Sequence, residues 1–246
     1  MSVLEIRNLC KKYPSFTLKN ITFSVEEGRI MGFIGRNGAG KTTTIKSALN
    51  IVHPTSGEIY FFGMPMAENE REIKKLVGYA GGAVDYYKRK KIRDILAVTK
   101  RFYENWDDGA CEKYLRAFSI EENKTPRELS EGMKVKLNLA VAMSHGAKLL
   151  ILDEPTSGLD PVSREELLET FVFLKERGTS ILFSTHITSD LEKCADDITY
   201  IARGEQIASE PLADFMERSR AAGYGDTLED IMVHFEKEDI REKFAD

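Results

Sequence analysis

Long apolar runs are missing from this 246-residue sequence. No segment approaches the ~20 apolar residues that a membrane-spanning helix needs, so we expect any membrane crossing to come from another chain. Residues 1–5 show no secretory signal, because neither its basic nor its apolar segment is present. The three cysteines are widely scattered, which disfavours a disulfide frame or a zinc site and favours free thiols in a reducing compartment.

An excess of positive charge is missing as well. The formal net charge is -5, with 30% charged and 42% hydrophobic residues, which is typical of a globular protein. The dense basic cluster at 88–93 is interpreted as a solvated surface. Since nucleic-acid binding usually needs a basic face, we expect no nucleic-acid partner.

The pattern of apolar residues predicts an α/β fold. Residues 3–9 and 16–25 alternate apolar and polar side chains, as half-buried antiparallel strands do. Apolar runs at 30–34, 149–152, 180–184 and 198–201 alternate with helical stretches, and a further strand is predicted at 58–62. Such alternation predicts a parallel sheet with helices on both faces and an antiparallel β edge.

A helical block interrupts this alternation. Residues 92–145 carry helical periodicity, with a break at 123–126, and predict an inserted helical subdomain. We place the core at 1–81 and 147–220 and the helical subdomain at 82–146. Residues 221–246 form a charged extension with a weakly amphipathic helix around 228–235, to which the sequence assigns no role.

A glycine-rich segment joins the strand at 30–34 to a helix that begins at Lys41. The pattern G-x-x-x-x-G-K-[ST] is matched by Gly35, Arg36, Asn37, Gly38, Ala39, Gly40, Lys41 and Thr42. Glycines let the backbone aim N–H groups at phosphate oxygens, and the helix start adds its positive dipole end. We expect Lys41 to reach the β- and γ-phosphates, Thr42 to bind Mg²⁺ and Thr43 to contact the nucleotide. The flanking strand and helix disfavour an accidental glycine turn.

Two adjacent acids end the strand at 149–152. Burying carboxylates is costly unless they meet a cation, so Asp153 is predicted to hold Mg²⁺. Glu154, which points elsewhere, is placed to orient or deprotonate the attacking water. The alternative is a strand end that reaches solvent. A kinase or a GTPase would also fit the two motifs to this point.

Further segments resemble the ABC ATPases, from about residue 3 to residue 210. The segments that carry the resemblance are Leu129-Ser130-Glu131-Gly132-Met133, which is similar to the LSGGQ signature, Glu154 to Pro161, which is similar to the D-loop, and Ser184-Thr185-His186, which is similar to the switch histidine. The amino-acid sequence of these segments is most similar to that of the ATP-binding subunits of bacterial ABC-2 type exporters. The resemblance implies a P-loop NTPase (RecA-like) core that binds ATP and Mg²⁺.

The resemblance also implies roles for individual residues. Tyr13 would stack on adenine, Ser130 and Gly132 would bind ATP from the signature, Asp160 would signal across a dimer, and His186 would contact the γ-phosphate beside the catalytic Glu154. Each has a local structural explanation. Ser130 and Asp160 are good helix N-caps, and Ser189 with Glu192 forms a plausible capping box. His186 and Tyr13 taken alone are compatible with purely structural roles.

The family works by assembly. Two ATP-binding subunits, identical or different, close head to tail on ATP and drive a separate integral membrane permease. The resemblance therefore implies a cytoplasmic subunit, peripheral at the inner face of the cell membrane, that powers export. Two alternatives stay open: a soluble ABC ATPase that switches conformation on ribosomes or DNA, and a regulatory subunit that binds ATP but hydrolyses it weakly.

Two departures from the family pattern bear on hydrolysis. Gly82 stands where the family usually has a metal-contacting glutamine. Glu131 and Met133 replace a glycine and a glutamine of the signature. A carboxylate at Glu131 would repel the γ-phosphate unless it turns outward or Lys134 offsets it.

Overall fold

A computed structural model describes residues 1–81 and 89–243 of the chain. The strands are β1 Ser2–Lys12, β2 Thr17–Glu26, β3 Ile30–Ile34, β4 Ser56–Phe61, β5 Met64–Pro65, β6 Val77–Gly81, β7 Leu149–Asp153, β8 Ser180–Thr185, β9 Asp197–Ala202 and β10 Glu205–Pro211. The helices are α1 Lys41–Ala48, α2 Met66–Leu76, α3 Ile92–Thr99, α4 Asp108–Ala117, α5 Glu131–Ser144, α6 Pro161–Glu176, α7 Thr188–Cys194, α8 Leu212–Ala221 and α9 Leu228–Lys243.

The strands form one sheet of order β5-β4-β1-β2-β10-β9-β3-β8-β7-β6. Strands β9, β3, β8, β7 and β6 pair in parallel, and β3, β7 and β8 are buried along their whole length. Helices cover both faces. On β7, Leu150 and Leu152 join the apolar cluster under α5 and α6, whereas Leu149 and Ile151 join the cluster under α1. The predicted α/β fold is confirmed.

The parallel strands bring three sequence segments to one edge. Because β3, β7 and β8 run in the same direction, their carboxyl ends meet there. These ends are followed by Gly35, by Glu154 and by His186. The arrangement places the glycine-rich loop, the paired acids and the switch histidine side by side.

The antiparallel edge consists of β1, β2, β4 and β5. The turn from β1 to β2 packs against the glycine-rich loop, since a Cβ on Gly40 would lie 3.0 Å from the ring of Phe16. The predicted antiparallel β edge is confirmed, and its turn forms one wall of the loop.

The predicted helical block contains α3, α4 and α5, with a short 3₁₀ turn at Pro126–Glu128. These helices bury an apolar cluster of their own that includes Ile92, Leu115 and Leu137. The domain boundaries stay a prediction, and residues 82–88, including Gly82 and Lys88, lie outside the described residues. The remaining basic residues of the cluster at 88–93, which are Arg89, Lys90, Lys91 and Arg93, are exposed.

Sequence analysis did not predict strand β10. It pairs antiparallel with β9 through a tight turn in which Arg203 has φ 51° and Gly204 has φ 79°. Two consecutive positive φ values are typical of the hairpin turns that match strand twist. The Arg-Gly dipeptide after an apolar strand was the available signal.

The C-terminal extension docks on the core. Helix α9 is longer than the predicted helix at 228–235, and Leu228 and Ile231 belong to the apolar cluster under α5 and α6. The predicted Ser189–Glu192 capping box is wrong. Helix α7 has Ile187 as N-cap without a side-chain hydrogen bond, and the Glu192 carboxylate instead accepts the Leu228 N–H at 2.6 Å. Tertiary contact with α9 thus takes the side chain that local sequence assigned to α7.

Over the described ranges, 1–81 and 89–243, every helix falls short of the length or the apolar character that crossing a membrane requires.

The docking of α9 predicts a large effect of Ile231→Ala. Ile231 is 0% exposed, so the substitution leaves a cavity and should lower the free energy of unfolding by about 2–5 kcal/mol. Val233→Ala on the same helix is the control, because Val233 is 42% exposed and its truncation should change stability by less than about 0.5 kcal/mol. Urea unfolding measures both, and equal effects would contradict the docking of α9.

Candidate nucleotide-binding and hydrolysis site

The backbone of the glycine-rich loop is shaped for an anion. Helix α1 has Gly40 as N-cap with φ 114°, and neither a side-chain cap nor an acidic residue occupies its first turn. Its first N–H groups and positive dipole end are therefore not neutralised by a side chain. Glycine is also needed at Gly35, where a Cβ would lie 2.3 Å from the Ile201 carbonyl oxygen of β9. The loop fits phosphate oxygens.

Lys41 lies inside this loop and is 5% exposed. Its ammonium donates to the Gly35 carbonyl at 2.6 Å, and Nζ lies 2.9 Å from Oε1 of Glu154. The second contact is an ion pair outside hydrogen-bond geometry, and among the described residues the buried Oε1 accepts no hydrogen bond. The structure thus joins the predicted phosphate-binding cation to the predicted catalytic carboxylate.

His186 completes this group from the next strand. Its Nδ1 lies 2.8 Å from Oε2 of Glu154, and the ring is partly exposed where β8 ends. The Glu154 carboxylate therefore bridges Lys41 on one oxygen and His186 on the other. These three residues follow three strands, β3, β7 and β8, that are far apart in sequence.

The paired acids are turned inward. Asp153 is 7% exposed, which contradicts the alternative of a strand end in solvent. The Ser184 hydroxyl donates to Oδ1 of Asp153 at 2.6 Å and accepts the Glu154 N–H at 3.0 Å. Glu154 has φ 54°, an unusual value for a residue with a side chain, which redirects its carboxylate from the strand face towards Lys41. Sequence analysis placed Ser184 in the switch segment but did not predict that it contacts both acids.

The other loop residues lie around this centre. Arg36, Asn37 and Gly38 are exposed, whereas Ala39 is buried. Thr42 is exposed and Thr43 is half-buried in the first turn of α1. Tyr13 lies in the turn beside the loop, where its N–H donates to the Phe16 carbonyl at 2.8 Å.

The ring of Tyr13 is 37% exposed, and the Lys11 ammonium lies 5.2 Å from its centroid. The ring is available for stacking on a base. Its contact with adenine stays a prediction.

Ser130 and Asp160 each cap a helix. Their neighbours Glu131 of the signature and Leu159 of the D-loop line one pocket together with Asp153 and Glu154. Ser130 caps α5 by accepting the Met133 N–H at 3.2 Å, and Asp160 caps α6 by accepting the N–H groups of Val162 at 3.0 Å and Ser163 at 3.1 Å. The Ser163 side chain and these N–H groups lower the pKa of Asp160. The local explanation by N-caps is confirmed for both. Within the described ranges no hydrogen bond or ion pair joins Ser130 or Asp160 to Lys41, Glu154 or His186.

Glu131 has a partner on its own helix. The Lys134 ammonium lies 2.5 Å from Oε1 of Glu131, and Glu131 is exposed at the start of α5. Gly132, which follows it, is buried, and a Cβ there would lie 3.4 Å from Cβ of Ser163 on α6. The offset of Glu131 by Lys134 that the sequence suggested is therefore present.

The two hydrogen bonds of Ser184 predict a measurable loss in Ser184→Ala. The substitution leaves buried Oδ1 of Asp153 without its donor and should lower the free energy of unfolding by about 1–3 kcal/mol. The Glu154 N–H keeps its bond to the Ser184 carbonyl at 3.1 Å. Ser47→Ala is the control: Ser47 is 0% exposed, and in the described part of the chain its hydroxyl has no hydrogen-bond partner, so the change should be close to zero. Equal losses by chemical denaturation would remove Ser184 from its linking role.

Comparison with known proteins bears on what this site does. The family model described as "ABC transporter" matches residues 18–157, more than half of the chain. The chain is 34% identical over 223 residues to the bacitracin transport ATP-binding protein BcrA of Bacillus licheniformis, covering 89% of this chain and 73% of that protein. It is 35% identical to the Nod factor export ATP-binding protein I of Burkholderia orbicola (strain AU 1054), covering 83% and 69%.

A solved structure gives the same result for the fold. The structure described as the ATP-binding subunit of an ABC transporter superposes with a TM-score of 0.83 at 29% identity, covering 94% of this chain and 98% of that one. The chain belongs to the ABC transporter family and is one of its ATP-binding ATPase subunits.

Proposed function

We propose that the chain is the motor of an exporter, hydrolysing ATP at the group formed by Lys41, Glu154 and His186. The observation that supports it most is that one carboxylate contacts both the phosphate-binding lysine and the switch histidine, beside a helix start that has no side-chain cap. Such a group can bind a terminal phosphate and act on a water molecule beside it.

The glycine-rich loop binds the phosphates of ATP. The backbone N–H groups from Gly35 to Thr43 surround the phosphates, and the Lys41 ammonium neutralises their charge. Tyr13 stacks on the adenine ring from the neighbouring turn. Because Lys41 also faces Glu154, phosphate oxygens compete with that carboxylate for the ammonium.

The residues that would hold Mg²⁺ are Thr42 and Asp153. Thr42 offers an exposed hydroxyl at the start of α1, and Asp153 offers a carboxylate fixed by Ser184 on the same edge of the sheet. Two protein ligands are enough for Mg²⁺, because this ion usually keeps several water ligands and also binds phosphate oxygens of the substrate. When bound, Mg²⁺ neutralises charge that develops on the phosphates.

Glu154 acts on the attacking water once phosphate has taken its place at Lys41. His186 keeps hold of the other carboxylate oxygen and lies at the edge of the site, where it contacts the γ-phosphate. The carboxylate is thus held in place while its basic oxygen becomes free for the water.

The second half of the ATP site comes from another ATP-binding subunit. Ser130 and Asp160 are exposed at helix starts, where another subunit can reach them, as a head-to-tail dimer needs. Ser130, Gly132 and the α5 N–H groups would then face the γ-phosphate of the partner subunit. Asp160 would carry the signal between the two sites.

The proposal of export rests on the printed functions of relatives, which are bacitracin transport and Nod factor export. We infer that a separate integral membrane permease docks beside the helical subdomain, 82–146, of the core formed by 1–81 and 147–220. The chain would then lie at the cytoplasmic face of the membrane as a peripheral subunit. The permease would select the substrate.

The role of Glu154 predicts that Glu154→Gln separates binding from turnover. The amide keeps the size of the side chain but cannot accept a proton, so steady-state ATP hydrolysis should fall by about 100-fold or more. ATP affinity, measured by calorimetry, should be retained. Glu58→Gln on β4 is the control, because this exposed acid lies far along the sheet from Lys41 and its loss should leave turnover unchanged. Unchanged turnover in Glu154→Gln would remove Glu154 from the catalytic role.

The signature departure predicts slow turnover in the purified chain alone. Glu131 places a carboxylate at the helix start that would face phosphate, and Lys134 offsets only part of its charge. Addition of the matching membrane partner should raise the rate several-fold. Rapid, cooperative hydrolysis by the isolated chain, measured over protein concentration, would contradict this expectation.

A further inference from the structure

The metal side of the proposed ATP site contains an unusual row of residues. In the pairing of the central strands, Gly81 of β6 lies opposite Asp153 of β7, which lies opposite Ser184 of β8. Neighbouring strands are about 4.8 Å apart, so residues of one row can contact each other. Ser184 fixes Oδ1 of Asp153 from the β8 side. Gly81 brings no side chain to the β6 side.

A tyrosine fills the space that Gly81 leaves. Side chains two residues apart on a strand share a face, so Tyr79 lies on the same face of β6 as the Gly81 position. A Cβ built on Gly81 would lie 1.8 Å from the Tyr79 hydroxyl oxygen and 2.3 Å from the ring carbon that carries it. The phenol therefore leans along β6 to the end of the strand, beside Asp153.

This face is the face of the phosphate loop. Val77 of β6 and Ile151 of β7 belong to the apolar cluster that α1 covers, and Tyr79 and Asp153 continue the same alternation towards the carboxyl edge. Tyr79 is 36% exposed. Its hydroxyl thus lies on the side of the sheet that is covered by α1, the helix that begins at Lys41.

The hydroxyl is a donor at neutral pH. The pKa of Tyr79 is raised mainly by burial, and the negative charge of Asp153 raises it further. No described residue hydrogen-bonds Oδ2 of Asp153, and no direct bond from Tyr79 is present. A bridging water links two neighbouring polar groups that make no direct hydrogen bond.

We propose that Tyr79 is a positioning residue of the metal site, whose hydroxyl orients the Asp153 carboxylate from the β6 side through a bridging water, as Ser184 does directly from the β8 side. The inference rests on the proposed ATP site and deepens it. Removing the hydroxyl should weaken nucleotide binding only where Mg²⁺ takes part.

The test is calorimetric titration of ATP into the full chain that carries Glu154→Gln, so that ATP is not consumed, with Mg²⁺ or with EDTA. Tyr79→Phe should raise the Kd of Mg²⁺-ATP about three- to tenfold, the net contribution expected of one ordinary hydrogen bond. The Kd in EDTA should change by less than about twofold. Tyr60→Phe is the matched control, because it removes a hydroxyl that donates to Glu58 at 3.2 Å on β4, far along the sheet.

Gly81→Ala provides a second, independent variant. Gly81 does not have a positive φ, so its backbone suits alanine, but the new Cβ must displace the Tyr79 hydroxyl. The variant should reproduce the Mg²⁺-specific loss of Tyr79→Phe. Combined with Tyr79→Phe it should add little further loss, because both changes remove the same interaction.

The outcomes separate cleanly. An unchanged Kd of Mg²⁺-ATP in Tyr79→Phe overturns the inference, and so does an equal loss with Mg²⁺ and with EDTA, which indicates a purely structural role. Additive losses in the double variant also count against it. Absence of ATP binding by the parent chain under both conditions would instead overturn the proposed ATP site, whatever Tyr79 does.

Discussion

The contact between Lys41 and Glu154 is the constraint around which the site is organised. An ammonium that is 5% exposed is costly unless charged or polar partners surround it. Here the partners are the Gly35 carbonyl and the Glu154 carboxylate, at 2.6 and 2.9 Å. Both contacts require a specific backbone conformation. The loop must turn tightly at glycines, and Glu154 must adopt a positive φ to face it.

The sheet supplies the distances that this contact needs. Parallel pairing of β3, β8 and β7 puts three strand ends within reach of each other, and Ser184 holds the two acids from the middle strand. Close approach of β9 excludes any side chain at Gly35. The phosphate loop is therefore positioned by β3 and β9, neither of which contributes a side chain to the proposed site. Stability and catalytic geometry depend on the same buried β strands.

Sequence patterns predicted the elements that carry a strong periodic signal. The apolar strands at 30–34, 149–152, 180–184 and 198–201 all appear, because buried parallel strands consist almost entirely of apolar residues. Strand β10 was missed because it lacks an apolar pattern: Ala208 is its only buried residue, and Ile207 lies on the exposed side. The capping box at Ser189 failed for a different reason: Glu192 can satisfy either a local N–H or the Leu228 N–H, and docking of α9 decides between them.

By itself, the sequence determined the fold class and the chemistry of the loop and the paired acids, since spacing and side-chain type carry that information locally. It also named His186 and Glu154 as candidates. Only the tertiary structure decided that Glu154 bridges Lys41 and His186, that Ser184 links both acids, and that Tyr79 fills the space beside Gly81. The physical reason is that strand register and side-chain direction between distant segments arise from packing of the whole sheet, which no local pattern encodes.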